Sequence, residues 1–335
     1  MRRAVTALLG ILIGLGLAGP AVAAPAASDG RVTFGVRPTG KTGPDKRSTF
    51  AYAATPGGVL TDQVEVSNAG LKPITVRVYA SDAFTTSGGG FDLLAASTKS
   101  DDAGAWVTVS KGSVTVPARG RTIVPFTLRV PATATPGDHT AGIVASVSTV
   151  QTDAKGNRVA VDQRVGSRVY LRVSGDLSAR LTVEKLTATY HPDRNPFKTG
   201  RTTLTYLVRN TGNVRLGAHQ KVSVSTLWGG KREADGVADV AEILPGDAVT
   251  ITAEVTGALP AVWLTGAVHA DPLARPDDQK LQLSAVTREY GFWAVSWTTA
   301  LALALLLAAL VTGGLLIRRR RRRAPAAPVV PSAAA

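Results

Sequence analysis

Apolar and polar side chains alternate one by one along much of this 335-residue chain. The clearest run places four apolar residues two positions apart: Val124, Phe126, Leu128 and Val130. The same period recurs at residues 74–78, 204–208 and 249–255, and Gly or Pro interrupts the pattern at intervals typical of turns. A period of two predicts strands with one buried face, and many short strands separated by turns indicate antiparallel β-sandwiches. We therefore expect an all-β fold.

A weak internal repeat divides the alternating region in two. The segments VEVSNAG and YLVRNTGN each end a strand at an asparagine, Asn68 and Asn210, and each is followed by a glycine-containing turn. Asn at such positions is interpreted as a turn cap that hydrogen-bonds nearby backbone. We predict two tandem Ig-like sandwiches, at residues 28–175 and 176–288, with a hairpin turning at residues 152–157 in the first.

The N-terminus has the pattern of a secretory signal. Two arginines precede a mostly apolar run, and small residues, Ala21 and Ala23, occupy the positions before a cleavage point. Residues 1–23 are therefore expected to be a signal peptide, removed after Ala23.

The C-terminal apolar segment predicts a membrane anchor. Residues 293–317 carry no charge and are long enough to cross a bilayer, and Trp293 and Trp297 suit the headgroup layer. Six arginines follow, and such a run is retained in the cytoplasm: Arg318, Arg319, Arg320, Arg321, Arg322 and Arg323. We expect a single-pass protein of the cell membrane with its N-terminus extracellular. Residues 318–335 are expected to form a cytoplasmic tail, basic and then disordered.

The charge of the chain resides largely at its ends. The formal net charge is +14, but the part between the terminal arginines holds 30 cations against 24 anions, which does not predict nucleic-acid binding. There is no cysteine, so disulfides, thiolate metal sites and cysteine nucleophiles are excluded. Four scattered histidines and the absence of catalytic motifs predict no enzyme, metal or cofactor.

The first module resembles the peptidoglycan-binding domain of the WxL-interacting proteins of Gram-positive cell surfaces. The resemblance rests on FGVRP, FAYAATPGG, VEVSNAG, ASDAFTTSGGGFDLL, VPARGRTIVPFTLRVP and TPGDHTAGIVASV, which lie between residues 34 and 147. It implies that an N-terminal sandwich binds cell wall and that a second sandwich binds a protein partner. The usual double glycine of the late strand is Ala141-Gly142 here, and the Ala- and Arg-rich composition indicates an actinobacterial source.

One segment offers the residue types that bind sugars, which are aromatic rings beside polar side chains. The candidate glycan-binding residues surround or follow a glycine-rich loop: Asp82, Phe84, Thr85, Phe91, Asp92 and Trp106. The alternative is that the aromatic members belong to the sandwich core. Trp228 and Trp263 in the second module are interpreted as core residues.

The sequence thus predicts a non-enzymatic, membrane-anchored surface protein. Its first sandwich would bind peptidoglycan or another wall polymer, and its second a surface protein. The alternative is an accessory ectodomain of an envelope export or signalling complex that acts only through protein contacts.

Overall fold

A computed structural model describes residues 32–40, 43–152, 157–195, 198–258, 261–278 and 280–323. The predicted signal peptide, with Ala21 and Ala23, and the tail beyond residue 323 lie outside the described residues. Strands dominate the described chain, and one long helix follows them near the C-terminus. The predicted all-β class with one C-terminal helix is confirmed.

The first set of strands forms two facing sheets. One has the order β2-β1-β4-β9-β7, and the other has the order β3-β11-β10-β5-β6 with β8 also paired to β5. The elements are β1 (Phe34–Gly40), β2 (Gly43–Pro44), β3 (Phe50–Ala54), β4 (Val59–Asn68), β5 (Ile74–Thr85), β6 (Phe91–Leu93), α1 (Ala103–Trp106), β7 (Val107–Val109), β8 (Ser113–Val116), β9 (Arg121–Arg129), β10 (Gly137–Thr152) and β11 (Arg158–Val173). Strand β3 runs parallel to β11, whereas the other described pairs are antiparallel as predicted.

The second set also forms two sheets, of order β12-β13-β17 and β15-β14-β18-β19, with β16 paired to β14. Its elements are β12 (Leu181–His191), β13 (Gly200–Asn210), β14 (Leu216–Thr226), β15 (Lys231–Glu233), β16 (Val240–Ile243), β17 (Ala248–Ala258), β18 (Trp263–Leu273), a 3-10 turn (Pro276–Asp278) and β19 (Val286–Trp293). The chain passes from the first set to the second between β11 and β12.

The two-residue period places the predicted apolar faces in two separate cores. In the first, Val124 and Leu128 are fully buried and Phe126 nearly so. In the second, Leu204 and Tyr206 are fully buried. Each fully buried aliphatic side chain contributes about 1.5–3 kcal/mol, so the alternation supplies most of the driving force for folding.

The repeated asparagines occupy equivalent structural positions. Asn68 Nδ2 donates to the Lys72 carbonyl at 2.8 Å, and Asn210 Nδ2 donates to the Val214 carbonyl at 2.7 Å. Each side-chain oxygen accepts from the backbone N–H two residues ahead, at Gly70 and Gly212. The prediction that these asparagines cap nearby backbone is confirmed, and both are buried.

A second repeated feature is the turn at the end of β5 and of β14. Thr86 N–H donates to the Gly90 carbonyl at 2.7 Å, and Thr226 N–H donates to the Gly230 carbonyl at 2.9 Å. In both turns the threonine hydroxyl accepts from the final glycine N–H, and the preceding glycine has a positive φ. The two sandwiches therefore share a hairpin tip of the same conformation.

The long helix α2 (Trp297–Arg323) begins later than predicted. Trp293 pairs with Trp263 as the last residue of β19, so it belongs to a strand and not to the helix. Ser296 ends the strand-to-helix connection, and its Oγ accepts from the Thr299 N–H at 3.3 Å. Residues Trp297–Arg319 have a mean hydropathy of 2.6 and no cover from the rest of the described chain, and they are long and apolar enough to cross a membrane.

Replacing either repeated asparagine should destabilise its sandwich. Asn210→Ala leaves buried carbonyls without their donor, so we expect a loss of about 1–3 kcal/mol in the free energy of unfolding, and Asn68→Ala should behave alike. Urea denaturation of the detergent-solubilised chain measures this, with the exposed Lys111→Ala as control, expected within about 0.5 kcal/mol of the unaltered chain. Equal stability of all three variants would contradict the capping role.

Candidate functional site

The predicted glycan residues of the β5–β6 hairpin lie on both of its faces. Phe84 is opposite Asp92, and Thr85 is opposite Phe91. Directly opposed residues share a face and successive residues alternate, so Phe84 and Phe91 point to opposite sides of the hairpin. They do not form one stacking platform.

Two of the predicted polar residues bind the protein itself. The Asp82 carboxylate accepts from the N–H groups of Asp101, Asp102 and Gly104 at 2.6–2.9 Å, which fixes the loop before α1. Thr85 is buried, and its hydroxyl accepts from the Leu244 N–H of the second sandwich at 3.0 Å. These polar atoms form hydrogen bonds within the protein and stabilise the fold.

Trp106 lies apart from the hairpin tip. It is half-buried against the first core and contacts the ring of His139, with centroids 4.7 Å apart. His139 is held between Asp102, at 2.7 Å, and the Thr135 carbonyl, at 2.9 Å. Burial favours the neutral ring, but these two acceptors and the charge of Asp138 raise the pKa of His139 above its ordinary value.

Phe91 and Asp92 do line a groove of about 450 Å³ on the first sandwich, together with Arg164 and Arg168. The guanidinium of Arg168 lies over the Phe91 ring, 4.1 Å from its centroid. One wall of the groove is tight, because a Cβ at Gly166 would lie 2.8 Å from a methyl carbon of Leu93. The groove therefore offers one aromatic ring, the two carboxylates of Asp92 and Asp162, and two guanidinium groups.

The two sandwiches meet at a buried ionic network. Asp138 of β10 accepts from Arg172 of β11 through both oxygens at 2.7 Å, and it also accepts from the Arg215 backbone N–H of the second sandwich at 2.8 Å. Arg172 in turn donates to Asp278 of the second sandwich. The side chains of Asp138 and Asp278 are only 1% and 3% exposed.

A second arm of the network surrounds Tyr170. The Arg215 guanidinium lies 3.8 Å from the Tyr170 ring centroid and donates to Glu242 at 3.0 Å. The Tyr170 hydroxyl donates to the same carboxylate at 3.1 Å. The two arms thus join β10 and β11 of the first sandwich to three places in the second: the start of β14, strand β16 and the 3-10 turn.

The network keeps its carboxylate charged. Burial favours the neutral form of Asp138, but the Arg172 guanidinium and the Arg215 N–H lower the pKa of Asp138 below its ordinary value. Its contribution to stability is therefore present at neutral pH and is lost as the pH falls through that lowered pKa.

Backbone contacts extend the junction. The Asn213 side chain donates to the Pro136 and Asp176 carbonyls at 2.9 and 2.8 Å. At the β5–β6 tip, the Ser87 carbonyl accepts from the Thr250 N–H of β17 at 2.8 Å. The glycine loop predicted to face wall polymer is thus in contact with the second sandwich.

A groove of about 600 Å³ runs along β17 beyond this contact. Strand β17 pairs with β13 on one side only. Because Thr250 N–H points away from β13, the alternation of the ladder also directs the backbone groups of Thr252 and Glu254 outward. Among the described residues, no strand pairs with that edge.

The groove is acidic. Its lining includes Asp235, Asp239 and Glu254 and no lysine or arginine. The Asp239 carboxylate contacts His219 at 2.7 Å, and Glu254 lies 3.5 Å from Arg201. The edge therefore presents unpaired backbone donors and acceptors beside an excess of carboxylates.

The interpretation of Trp228 as a core residue is wrong. Its side chain is 81% exposed in the turn between β14 and β15, beside Leu227 at 70%. Trp263 is half-buried and packs edge-to-face against Trp293, with ring centroids 5.2 Å apart. The sequence does carry a signal that separates the two cases, because Gly229-Gly230 marks a turn directly after Trp228, whereas Trp263 precedes the apolar strand residue Leu264.

The described residues hold no group of three metal-ligating side chains. Asp278 is bound to Arg172, and His269 contacts Asp271 at 3.2 Å and Thr287 at 2.8 Å. Of the residues predicted to set the membrane topology, Trp293 ends β19 and Trp297 begins α2, and the arginines end α2: Arg318, Arg319, Arg320, Arg321, Arg322 and Arg323.

No family model and no curated protein matches this chain. Among solved structures, it is similar to the class 5 fimbriae chaperone CfaA, at 11% identity and a TM-score of 0.36, over 77% of this chain and 98% of that one. A second similar structure is the Pseudomonas aeruginosa CupB2 chaperone, at 11% identity and a TM-score of 0.30, over 75% of this chain and 99% of that one. It is also similar to PapD-like domain 7 of human CEP192, at 11% identity and a TM-score of 0.25, over 50% of this chain and 99% of that domain. Likeness at this level concerns architecture and does not identify what this chain binds.

Removing the central carboxylate of the network should separate the sandwiches. Asp138→Ala leaves Arg172 and Arg215 without their shared partner, so we expect a loss of about 3–5 kcal/mol in the free energy of unfolding. The matched control is Asp101→Ala, whose exposed pair with Lys99 at 3.9 Å should contribute less than about 1 kcal/mol. Urea denaturation compares the two variants, and similar losses would show that the network does not hold the junction.

Proposed function

We propose that this chain is a single-pass surface protein whose second sandwich binds an extended segment of a protein partner. The free edge of β17 carries this proposal. An extended segment adds to such an edge through backbone hydrogen bonds, because the outward N–H and carbonyl groups are already spaced for a strand.

The Ser87–Thr250 hydrogen bond supports strand addition at this place. The Ser87 carbonyl belongs to a turn, and it reaches the outward N–H of Thr250 at one end of the groove, so this edge of β17 is open to a backbone acceptor. A partner segment would continue from there along Thr252 and Glu254, opposite the part of the groove formed by residues 235–241.

Charge defines the class of partner segment. The carboxylates that line the groove favour lysine or arginine at alternate positions, because alternate side chains of an added strand point to the same side. The proposed ligand is therefore an extended cationic segment without proline.

The C-terminal helix α2 determines the proposed location of the protein in the cell membrane. Because six arginines follow the apolar helix directly, we place them in the cytoplasm and both sandwiches outside the cell membrane. The resemblance to WxL-interacting proteins, which assigns partner binding to the second sandwich, agrees with this arrangement. The same edge also serves the alternative role, in which the chain is an accessory ectodomain of an export or signalling complex.

Peptidoglycan binding by the first sandwich is a second candidate. It is favoured by the groove that Phe91 and Asp92 form with Arg164 and Arg168, since the ring suits stacking on sugars and the guanidinium groups suit carboxylate-bearing wall polymers. Asp82, Thr85 and Trp106 lie outside the lining of this groove.

A pull-down on purified peptidoglycan tests the glycan candidate. The full chain in nanodiscs should be retained at low and high salt, and Phe91→Ala should reduce retention severalfold because the aromatic face is lost. Phe84→Ala, on the opposite face of the hairpin, is the matched control and should keep it. Retention that disappears with salt, or that Phe84→Ala removes equally, would contradict the candidate and leave protein contacts alone.

Thr252→Pro tests strand addition. It removes an outward N–H that makes no bond to β13, so the fold should tolerate it as edge strands do. A phage library of random nonapeptides, panned on the full chain in nanodiscs, should yield cationic extended sequences. Their affinity should fall about two- to tenfold for Thr252→Pro, because the one lost hydrogen bond contributes roughly 0.5–1.5 kcal/mol.

Two controls separate backbone from side-chain effects. Thr252→Val keeps the N–H and should keep the affinity, whereas Glu254→Lys should lower it by charge repulsion without altering the edge. Selected peptides that bind Thr252→Pro as well as the unaltered chain, or no enrichment over empty nanodiscs, would contradict the proposal.

A further inference from the structure

The turn between β14 and β15 exposes two large apolar side chains side by side. Leu227 is 70% exposed and Trp228 is 81% exposed. Single exposed apolar residues are ordinary, but an adjacent pair that includes a tryptophan indicates contact with something outside the fold. We call residues 226–230 the apolar tip.

The apolar tip is rigidly held. Its Thr226 N–H donates to the Gly230 carbonyl at 2.9 Å, and the Gly229 N–H donates back to the Thr226 carbonyl at 3.1 Å. Gly229 has a φ of 85°, a conformation that favours glycine. Behind the tip, Arg232 Nε donates to the Gly257 carbonyl at 3.3 Å and joins the hairpin to the end of β17.

Strand register places the apolar tip at the end of the sheet where α2 begins. Thr226 pairs with Leu264, and Leu264 pairs with Phe292. Pairing continues one step further, since the Ala294 N–H donates to the Val262 carbonyl at 3.3 Å. Neighbouring strands are about 4.8 Å apart, so the tip and the start of the helix are separated by only two strand spacings, roughly 10 Å, across the sheet.

This end of the second sandwich collects the exposed tryptophans of the described chain. Trp228, Trp293 and Trp297 are 81%, 68% and 81% exposed. Val262 and Val295, also at this end, are 61% and 41% exposed. Tryptophan rings favour the headgroup layer of a bilayer, and here they surround the point where an apolar helix leaves the fold.

The internal repeat gives an independent argument. The equivalent tip of the first sandwich, at residues 86–90, contacts the next domain of the chain, where its Ser87 carbonyl bonds to Thr250. For the second sandwich, the next element of the chain is helix α2. The first tip, with Ser87 and Gly88, meets protein backbone, whereas Leu227 and Trp228 occupy the same turn positions with side chains suited to lipid.

We infer that the apolar tip is a second membrane contact, with Leu227 and Trp228 inserted at the boundary between headgroups and acyl chains beside α2. Two contacts at one end of a rigid sandwich fix its tilt, which a single helix does not. The inference rests on α2 crossing the membrane, as proposed above, and it is independent of what β17 binds.

Spin labels at single cysteines test this directly, because the chain has no cysteine of its own. Leu227→Cys labels the tip, and Leu71→Cys is the matched control. Leu71 is a leucine that is 74% exposed in the turn before β5. It lies at the end of β5 opposite Thr85, and therefore away from the second sandwich. Ala304→Cys, inside α2, reports whether the helix is embedded.

The full chain is reconstituted in phosphatidylcholine–phosphatidylglycerol vesicles, and each label is exposed to oxygen and to a water-soluble nickel chelate. The label at 227 should show interfacial depth, with oxygen access exceeding nickel access, whereas the label at 71 should be aqueous and the label at 304 deep. Adding Trp228→Ser to Leu227→Cys should move the label at 227 outward, which shows that the tip inserts and not the label alone.

The outcomes separate this inference from the anchor. A deep label at 304 with a label at 227 as aqueous as that at 71 would overturn the tip contact and leave the anchor intact. An aqueous label at 304 would overturn the anchor itself. A label at 227 that is aqueous in vesicles but shielded in intact cell envelopes would assign the tip to a protein surface and also overturn the inference.

Discussion

A buried carboxylate, Asp138, is held by guanidinium and amide groups of two different sandwiches, and the relative orientation of those sandwiches depends on it. Arg172 approaches from the first sandwich and Arg215 from the second, and Arg172 continues to Asp278. Desolvation offsets much of the attraction between buried charges, so such a network adds little net stability. It does penalise other arrangements heavily, because each would leave a buried charge without a partner. We therefore assign it the role of fixing one orientation between the sandwiches.

A fixed orientation between the sandwiches also fixes the relative positions of surfaces that lie far apart. The β17 edge is partly covered by the tip of the first sandwich, so the groove has its shape only while the junction is closed. At the other end, β19 leads to α2 through three residues, two of them buried, which leaves little freedom between sandwich and helix. In the proposed single-pass arrangement, a partner segment on β17 would thus be held at a defined height and angle above the membrane.

The local sequence pattern predicted those features of the fold that depend on residues close together in the chain. The period of two placed Val124, Phe126 and Tyr206 in the cores, and Asn68 and Asn210 proved to be caps. The junction was not predictable, because Asp138 and Arg215 are distant in sequence and a charged residue in an alternating strand ordinarily faces solvent. Phe84 and Phe91 lie on opposite faces because of the register of the hairpin. That register could not be predicted from the sequence of the glycine-rich loop. Trp228 resembled a core residue because the sequence shows apolarity but not which turn is left uncovered.

The orientation of the two sandwiches is the claim most open to direct measurement. Cysteines introduced at the exposed Thr98 in the first sandwich and Lys221 in the second would carry a spin-label pair for pulsed dipolar spectroscopy of the full chain in nanodiscs. One narrow distance peak, which broadens when Asp138→Ala is added, is the result expected of a junction fixed by the buried network. A broad or multiple distribution in the otherwise unaltered chain would contradict it, because the sandwiches would then move independently.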